Sequence, residues 1–352
     1  MTITTVSTFA LPVNNIFQNT LLRNAKALAP YFVGAMPGTV TMHAGTATVK
    51  WRWYENLAPS TSALTALTGS ETYPFRAGTT ITVTDPTASV QKYGQVFVLN
   101  EEVNLQQFDH QTDKLIEVLA IAAGRSLNQL QRNELEDNPT FIYAGNVSQD
   151  SDVANVISLT EIRNAVNVLQ RNSATKFRPA GLGDVRIGTT PVRPGFVMLS
   201  HVDVEEDVRD IAKFIEVEKY AGHTETYLGE YGSVHGVRCI SSEDASQDAD
   251  LGAAPGGTLR STTGSSADLY TSVIFGLEAH GAVGFGVEMV KEIYTAGDSL
   301  PAISLISHAA GSAGSMDPLN EVMTLAYKAW HAATTLNSTW TRGVRSAASK
   351  LV

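Results

Sequence analysis

The sequence predicts an α+β protein built from a projecting β flap, one long helix, and a mixed second half closed by a long C-terminal element. Three observations carry this. Period-two alternation runs through Val49, Trp51 and Trp53 and returns at Ile81 and Val83, the mark of half-buried strands. Leu115, Val118, Leu119, Ala122, Leu127 and Leu130 form an apolar stripe at helical spacing. Beyond Pro139, short strand and helix patterns follow one another with no internal repeat.

Taken in order, residues 1–44 read as an arm, extended or partly helical, broken by Pro12, Pro30 and Pro37. Arg23, Lys26, Lys50 and Arg52 all precede the first acidic residue, Glu55, and Ile16-Phe17 and Leu21-Leu22 are short apolar pieces able to dock on a body. Strands at Thr46–Tyr54 and Thr80–Thr84 flank a segment from Asn56 to Gly78 that is too long for a tight hairpin loop. Two strands with a long tip make a flap that buries too little to stand alone. Gln95–Leu99 is a further strand, and Thr112 to about Glu136 is a helix roughly 35 Å long. Ser158 and Glu161 form a capping box that opens a second helix, whose inner face is Leu159, Ile162, Ala165, Val166 and Leu169. Glycine and proline punctuate Arg178–Pro194. Phe196–Leu199 is a buried strand. Asp203 and Glu206 start a helix through Val208 and Ile211, and Tyr220–Gly232 is a loop. Val234–Ile240 and Leu269–Phe275 are strands. Between them, Glu243, Asp244, Asp248 and Asp250 read as a solvated acidic loop. Thr334–Thr341 favours strand by its β-branched and aromatic content, whereas the Ala-rich run Leu325–Ala333 fits strand or helix.

Composition narrows the function. The 352 residues carry a formal net charge of −10, with 17% charged and 43% apolar residues. The charged fraction falls below the roughly 25% of ordinary soluble domains, so much surface is expected to be hidden against the chain itself or against partners. Net negative charge disfavours a nucleic-acid binder. The single cysteine, Cys239, excludes an intrachain disulfide and a Cys-based zinc site, and reads as a small buried apolar residue. No apolar run is long enough for a bilayer. Met1–Val13 lacks the basic start of a secretory signal, so synthesis in the cytosol is expected. There is no phosphate-binding loop, Gly181-Leu182-Gly183 is only a fragment of a dinucleotide fingerprint, and neither His-Glu-x-x-His nor Gly-x-Ser-x-Gly occurs. The eight histidines are scattered, and Asp203, Glu205, Glu206 and Asp207 are explained by a helix start. Trp51, Trp53, Tyr54 and Tyr93 suit a packing face better than a base-stacking platform, since only Lys50, Arg52 and Lys92 lie near them. No catalytic, cofactor-binding or metal site is expected, and the chain does not read as an enzyme.

Several segments together carry a resemblance. They are Val90–Leu99 (VQKYGQVFVL), Thr160–Val166 with Leu169–Asn172, and Lys219–Gly222 with Gly229–Gly232 and Gly236–Ser242. Gly311–Asn320 (GSAGSMDPLN), followed by Ala326–Ala329 and Leu336-Asn337, is the most specific. This pattern, in order from about Thr46 to Asn337, resembles the major capsid protein family of N-four-like tailed phages. The resemblance implies the Hong Kong 97-type capsid fold, divided here as 1–44 N-terminal arm, 45–94 E-loop β-hairpin and flanking strands, 95–195 peripheral domain with spine helix, 196–310 mainly axial domain, and 311–352 return to the peripheral domain. It implies a non-catalytic subunit that self-assembles, as hexamers and pentamers, into an icosahedral shell around double-stranded DNA without sequence-specific binding. The virion capsid would be its location, assembled in the bacterial host cytoplasm. Phe17, Leu21, Arg23, Trp51, Trp53, Tyr54, Phe75 and Arg76 are the expected subunit-interface residues. Expected partners are other copies of the chain, a portal protein and a decoration protein, with no membrane. A separate scaffolding protein, or else intrinsic assembly, is expected because no long charged helical extension opens the sequence. No lysine lies between Lys50 and Lys92, so a loop lysine for covalent cross-linking is missing. The alternatives are an encapsulin-like nanocompartment shell and, more remotely, a cytosolic α+β enzyme.

Overall fold

A computed structural model describes residues 29–38, 48–55, 57, 59–61, 63–64, 80–100, 102, 111–137, 139–177, 194–220, 226–227, 229–283, 303–308, 318–319 and 321–350. Six strands come first: β1 (Met36–Pro37), β2 (Thr48–Lys50), β3 (Trp53–Tyr54), β4 (Val83–Thr84), β5 (Thr87–Ser89) and β6 (Gln91–Asn100). Helix α1 (Gln111–Asp137), β7 (Thr140–Tyr143), α2 (Leu159–Arg171), β8 (Phe196–His201) and the short α3 (Glu205–Arg209) follow. The remainder is β9 (Ile215–Glu216), β10 (Glu230–Val234), β11 (Val237–Ser242), β12 (Gln247–Asp248), β13 (Leu269–Phe275), β14 (His280–Val283), β15 (Ile303–His308), β16 (Val322–Thr335) and β17 (Thr341–Ser346).

An eight-stranded mixed sheet, ordered β7-β17-β13-β8-β11-β10-β9 with β12 on β13, forms the larger body. Its central strand, β8, runs parallel to β11 and antiparallel to β13. Phe196 and Met198 of β8 join one core with Ile162, Ala165, Val166 and Leu169 of α2, while Val197 and Leu199 join another with Tyr31, Leu135, Phe177 and Phe275. Burial on both faces explains why β8 and β13 are nearly continuous apolar runs rather than alternating ones. The capping box of α2 forms as the spacing predicts, with Glu161 accepting from the Ser158 backbone N–H at 3.0 Å and the Ser158 hydroxyl accepting from Thr160 N–H at 3.2 Å. The stretch expected as one strand from Val234 to Ile240 is strand at both ends, Val234 closing β10 and Val237–Ile240 opening β11, and is broken only by a two-residue hairpin turn. His235 and Gly236 sit at φ 49° and 78°, the pair of positive angles a two-residue hairpin loop needs.

The second sheet, of five strands, is organised on β16, which pairs with β6, β14 and β15. The ambiguity over Leu325–Ala333 resolves to strand: Leu325, Tyr327 and Ala329 are buried, and Ala326, Lys328 and Trp330 between them are not. The buried set packs with Ile303 under Ile116, Leu119, Ala120, Ala123 and Leu127 of α1. Over its 27 residues α1 is about 40 Å long. Its N-terminal half lies on the five-stranded sheet, and Leu135 near its other end enters the core of the eight-stranded sheet, so one helix ties the two together. The buried face is rotated from the stripe expected: Val118 is exposed, and Ile116, Ala120 and Ala123 take the centre.

That face also contains Asn128, Gln131 and Glu136, all buried. The acidic loop after β11 is not simply solvated, because Asp244 is buried against this part of α1. Its carboxylate accepts from Arg125 Nε (3.0 Å), Asn128 Nδ2 (3.0 Å) and Gln129 Nε2 (3.2 Å), and Arg132 Nη1 donates to its backbone carbonyl (2.6 Å). Asn128 in turn accepts from the Tyr31 backbone N–H at 3.1 Å, and the Tyr31 hydroxyl donates to Glu136 at 2.5 Å. Burial pushes both the Tyr31 phenol and the Glu136 carboxyl above their ordinary values. Truncating Asp244 leaves the Asn128 amide buried without its acceptor, a cost of about 1–3 kcal/mol. Asp244→Ala is therefore expected to lower stability in urea unfolding by that amount, with Asp244→Asn, which keeps an acceptor, losing less.

Candidate functional site

The flap begins as two short antiparallel pairings. Val49 of β2 lies opposite Ala88 of β5, and Trp53 of β3 lies opposite Thr84 of β4. Backbone bonds from Trp51 N–H to Pro86 O (3.0 Å) and from Glu55 N–H to Thr82 O (3.1 Å) extend the ribbon. Asp85 receives Arg52 Nε and Nη2 at 3.0 and 3.1 Å and lies 2.7 Å from Lys50 Nζ. Hydrogen bonds from these two cations, Arg52 foremost, hold the Asp85 carboxyl well below the usual carboxylate range. The group is exposed, so the cluster sets local geometry more than stability.

The base of the ribbon is anchored by its alternation. Val49, Trp51 and Val90 form a core with Val283 of β14 and Ala332 of β16. Trp51, 4% exposed, lies over Gly38 and Gly281, where a β-carbon would come within 2.4 Å and 2.8 Å of the indole. Two glycines thus make the seat for one large ring. Trp53 meets Trp340 edge-on, with ring centroids 5.7 Å apart. Further out the apolar side chains lose their partners: Tyr54 is 58% exposed and Ile81 55%, and Leu57, Leu64 and Val83 are exposed as well.

A second open apolar surface lies on the five-stranded sheet. Residues directly opposite in a pair share a face, so Val96 and Val98 of β6 stand with Ala326 and Thr324 of β16, on the side away from α1. They are 63% and 66% exposed. Among the described residues β6 pairs only with β16, leaving its other edge open. The sequence carries a signal for this surface in the unbroken run Val96-Phe97-Val98-Leu99. Such a run predicts burial on both faces, yet the described residues cover neither completely.

Of the residues expected at subunit interfaces, Trp51 and Trp53 sit at the flap base in contact with their own chain, and Tyr54 projects. Phe17, Leu21, Arg23, Phe75 and Arg76 lie outside the described residues. Elsewhere, several ionisable groups are bound into structural bonds. Glu230 and Arg238 form a buried ion pair across the β10–β11 hairpin, with Nε to Oε1 at 3.0 Å; Arg238 also lies over the Tyr227 ring at 4.1 Å. Burial pushes Tyr220, which donates to Glu230, up to about 12. A cavity of about 620 Å³ is lined by Arg260, Asp268, Tyr270 and Lys350 among others. Its Asp268 accepts from Gln247, Asp250 and Thr262, and its Arg260 pairs with Asp203 at 2.9 Å. Among the described residues no three His, Cys, Asp or Glu side chains are grouped to hold a metal. Cys239 is buried and unpaired, its thiol pushed up by burial.

Two sheets bridged by a long helix, with a thin ribbon leaving one side, find close parallels among solved structures. The capsid of Ralstonia phage GP4 matches with a TM-score of 0.65 at 11% identity, covering 91% of this chain and 88% of that one. The chain has the fold of phage capsid subunits, the Hong Kong 97-type fold. The head structure of Helicobacter pylori bacteriophage KHP40 matches with a TM-score of 0.57 at 9% identity, covering 92% and 91%. The capsid of Cyanophage P-SCSP1u matches with a TM-score of 0.53 at 10% identity, covering 90% and 87%. No protein-family model and no curated protein matches the sequence. In this capsid fold the seat of Trp51 fixes where the ribbon leaves the body. Trp51→Ala removes a buried aromatic and is expected to cost about 3–5 kcal/mol, read as an earlier urea midpoint with reduced near-ultraviolet circular dichroism.

Proposed function

We propose that the chain is the major capsid protein of a tailed phage, a structural subunit that assembles into an icosahedral shell around double-stranded DNA. The observation that carries this reading is the capsid fold over nine-tenths of the chain. The apolar ribbon and sheet face that the isolated subunit leaves open add to it. The sequence segments that resemble N-four-like phages support placement in that family. In this reading 1–44 is the N-terminal arm, 45–94 the E-loop, 95–195 the peripheral domain with α1 as its spine, 196–310 mainly the axial domain, and 311–352 the return to the peripheral domain. Tyr54, Ile81 and Val83 of the ribbon lie on a neighbouring copy, whose own ribbon lies on the next. Such head-to-tail contacts generate closed rings, here hexamers and pentamers. Obligate assemblies of this kind bury large areas in each copy, which accounts for the low charge of the chain.

The net charge of −10 suits a wall that encloses DNA without holding it tightly. A portal protein, a separate scaffolding protein and a decoration protein are the further partners of this reading, and the virion is its location. Electron microscopy of the purified protein is expected to give closed shells or shell fragments. A stable monomer or dimer with catalytic turnover would overturn the reading, and shells filled with a protein cargo instead of DNA in their native source would favour a nanocompartment. Because Lys50 and Lys92 bracket a segment without lysine, and Lys50 is engaged by Asp85, the shell is not cross-linked through its E-loop. Particles boiled in denaturant should run as a single 37.7 kDa band; a covalent ladder would contradict this.

A further inference from the structure

Two histidines occupy the junction where β14, β16 and the N-terminal segment meet. His280 is fully buried, and its Nε2 lies 3.3 Å from the Tyr31 carbonyl oxygen. His331 is almost fully buried, and its Nδ1 lies 2.8 Å from the Val283 carbonyl oxygen. A carbonyl only accepts, so the bonded nitrogen of each ring carries the hydrogen. The other nitrogens, His280 Nδ1 and His331 Nε2, have no hydrogen-bond partner among the described residues. Both rings are therefore held in the neutral form by geometry, and a second proton on either would create a buried cation with an unanswered N–H.

The same rings clamp one thin piece of chain. His280 holds the Tyr31 carbonyl, and His331 packs against Phe32 with ring centroids 5.6 Å apart. Beyond them, β1 pairs with β14 through Met36 and Pro37, with Gly38 N–H on the Ala282 carbonyl at 3.0 Å and Glu278 N–H on the Gly34 carbonyl at 3.2 Å. We propose that His280 and His331 form an acid-sensitive latch whose protonation releases the N-terminal segment 29–38 while the eight-stranded sheet stays folded.

Among the described residues no carboxylate bonds either ring. Phe275 faces His280 edge-on at 5.2 Å. From α1, Glu136 bonds the Tyr31 hydroxyl, and Glu134 bonds the backbone N–H of Thr335, the residue opposite His280. Burial raises both carboxyls, so each gives up its charge at a higher pH than an ordinary carboxylate. Tyr31 stays neutral, Glu278 is exposed, and β6 brings Lys92, a further cation, beside Trp330. Burial lowers both histidines from 6.5 to about 4. The sign follows for the two histidines: each binds a proton more readily with the segment released than with it closed. The latch is at full strength above about pH 6.5 and weakens as the pH falls toward 4.

Hydrogen exchange of the full chain, corrected for the intrinsic rate, tests this at pH 7.5 and 4.5. Protection of a peptide covering 31–38 is expected to fall at least tenfold at pH 4.5, with β8 and β13 still protected. His331→Gln, and His280→Gln with it, should flatten that pH response. Unchanged protection of 31–38 at acid pH, simultaneous loss across β8 and β13, or an equal response in a folded variant would each overturn the proposal. If the variants do not fold, the wild-type comparison of 31–38 with β8 and β13 decides it alone.

Discussion

The packing of α1 across two sheets is the constraint on which the rest of the molecule depends. A helix that crosses from one sheet to another passes a seam where loops and a terminal segment must also find room, and those bring backbone polar groups with them. The chain answers with polar side chains on the buried face of α1. Asn128 takes the Tyr31 N–H and gives to Asp244; Asp244 gathers Arg125 and Gln129; Glu136 takes the Tyr31 hydroxyl and the Ser246 N–H. Each bond is modest, but any one of these groups left alone in the seam is costly. The network therefore fixes how the N-terminal segment and the loop after β11 sit on the helix, and through the helix how the two sheets sit on each other.

From that frame the ribbon follows. Gly38 reaches its place through the segment that Tyr31 anchors, and Gly281 belongs to the strand that carries His280; together they seat Trp51. The interior of the subunit thus sets the point and direction in which β2 to β5 leave the body. Beyond Trp53 the described residues of the ribbon join no core, and Tyr54, Leu57, Leu64, Ile81 and Val83 are exposed, as are Val96 and Val98 on β6. Two unsatisfied apolar surfaces on one chain, at different places, are what a head-to-tail lattice needs, and in such a lattice part of the stability belongs to the assembly rather than the subunit.

Much of this was legible in the sequence where the signal is local. The α2 capping box, the two-faced apolar runs of β8 and β13, and the alternation that buries Val49 and Trp51 all depend on spacing within a few residues. What was not legible depends on distant partners. Asp244 looks like any acidic loop residue until α1, more than a hundred positions away, supplies its donors. Asn128 and Gln131 interrupt the apolar stripe of α1, which rotated the expected buried face toward Val118. The β10–β11 turn was hidden because His235 takes a backbone angle that asparagine or glycine usually advertises. Of the interface residues named from sequence, Trp51 proved legible as a packing residue, and its partners, two glycines from separate segments, did not.

The central claim is that the open ribbon and the open face of β6 are completed by neighbouring copies. Hydrogen exchange on assembled particles and on subunits dissociated from them, under matched conditions, tests it most directly. Tyr54, Val83 and the outer edge of β6 are expected to be strongly protected in the particle and to exchange rapidly in the free subunit, while β8 and β13 are protected in both. Equal protection of the ribbon and β6 in the two states would contradict it.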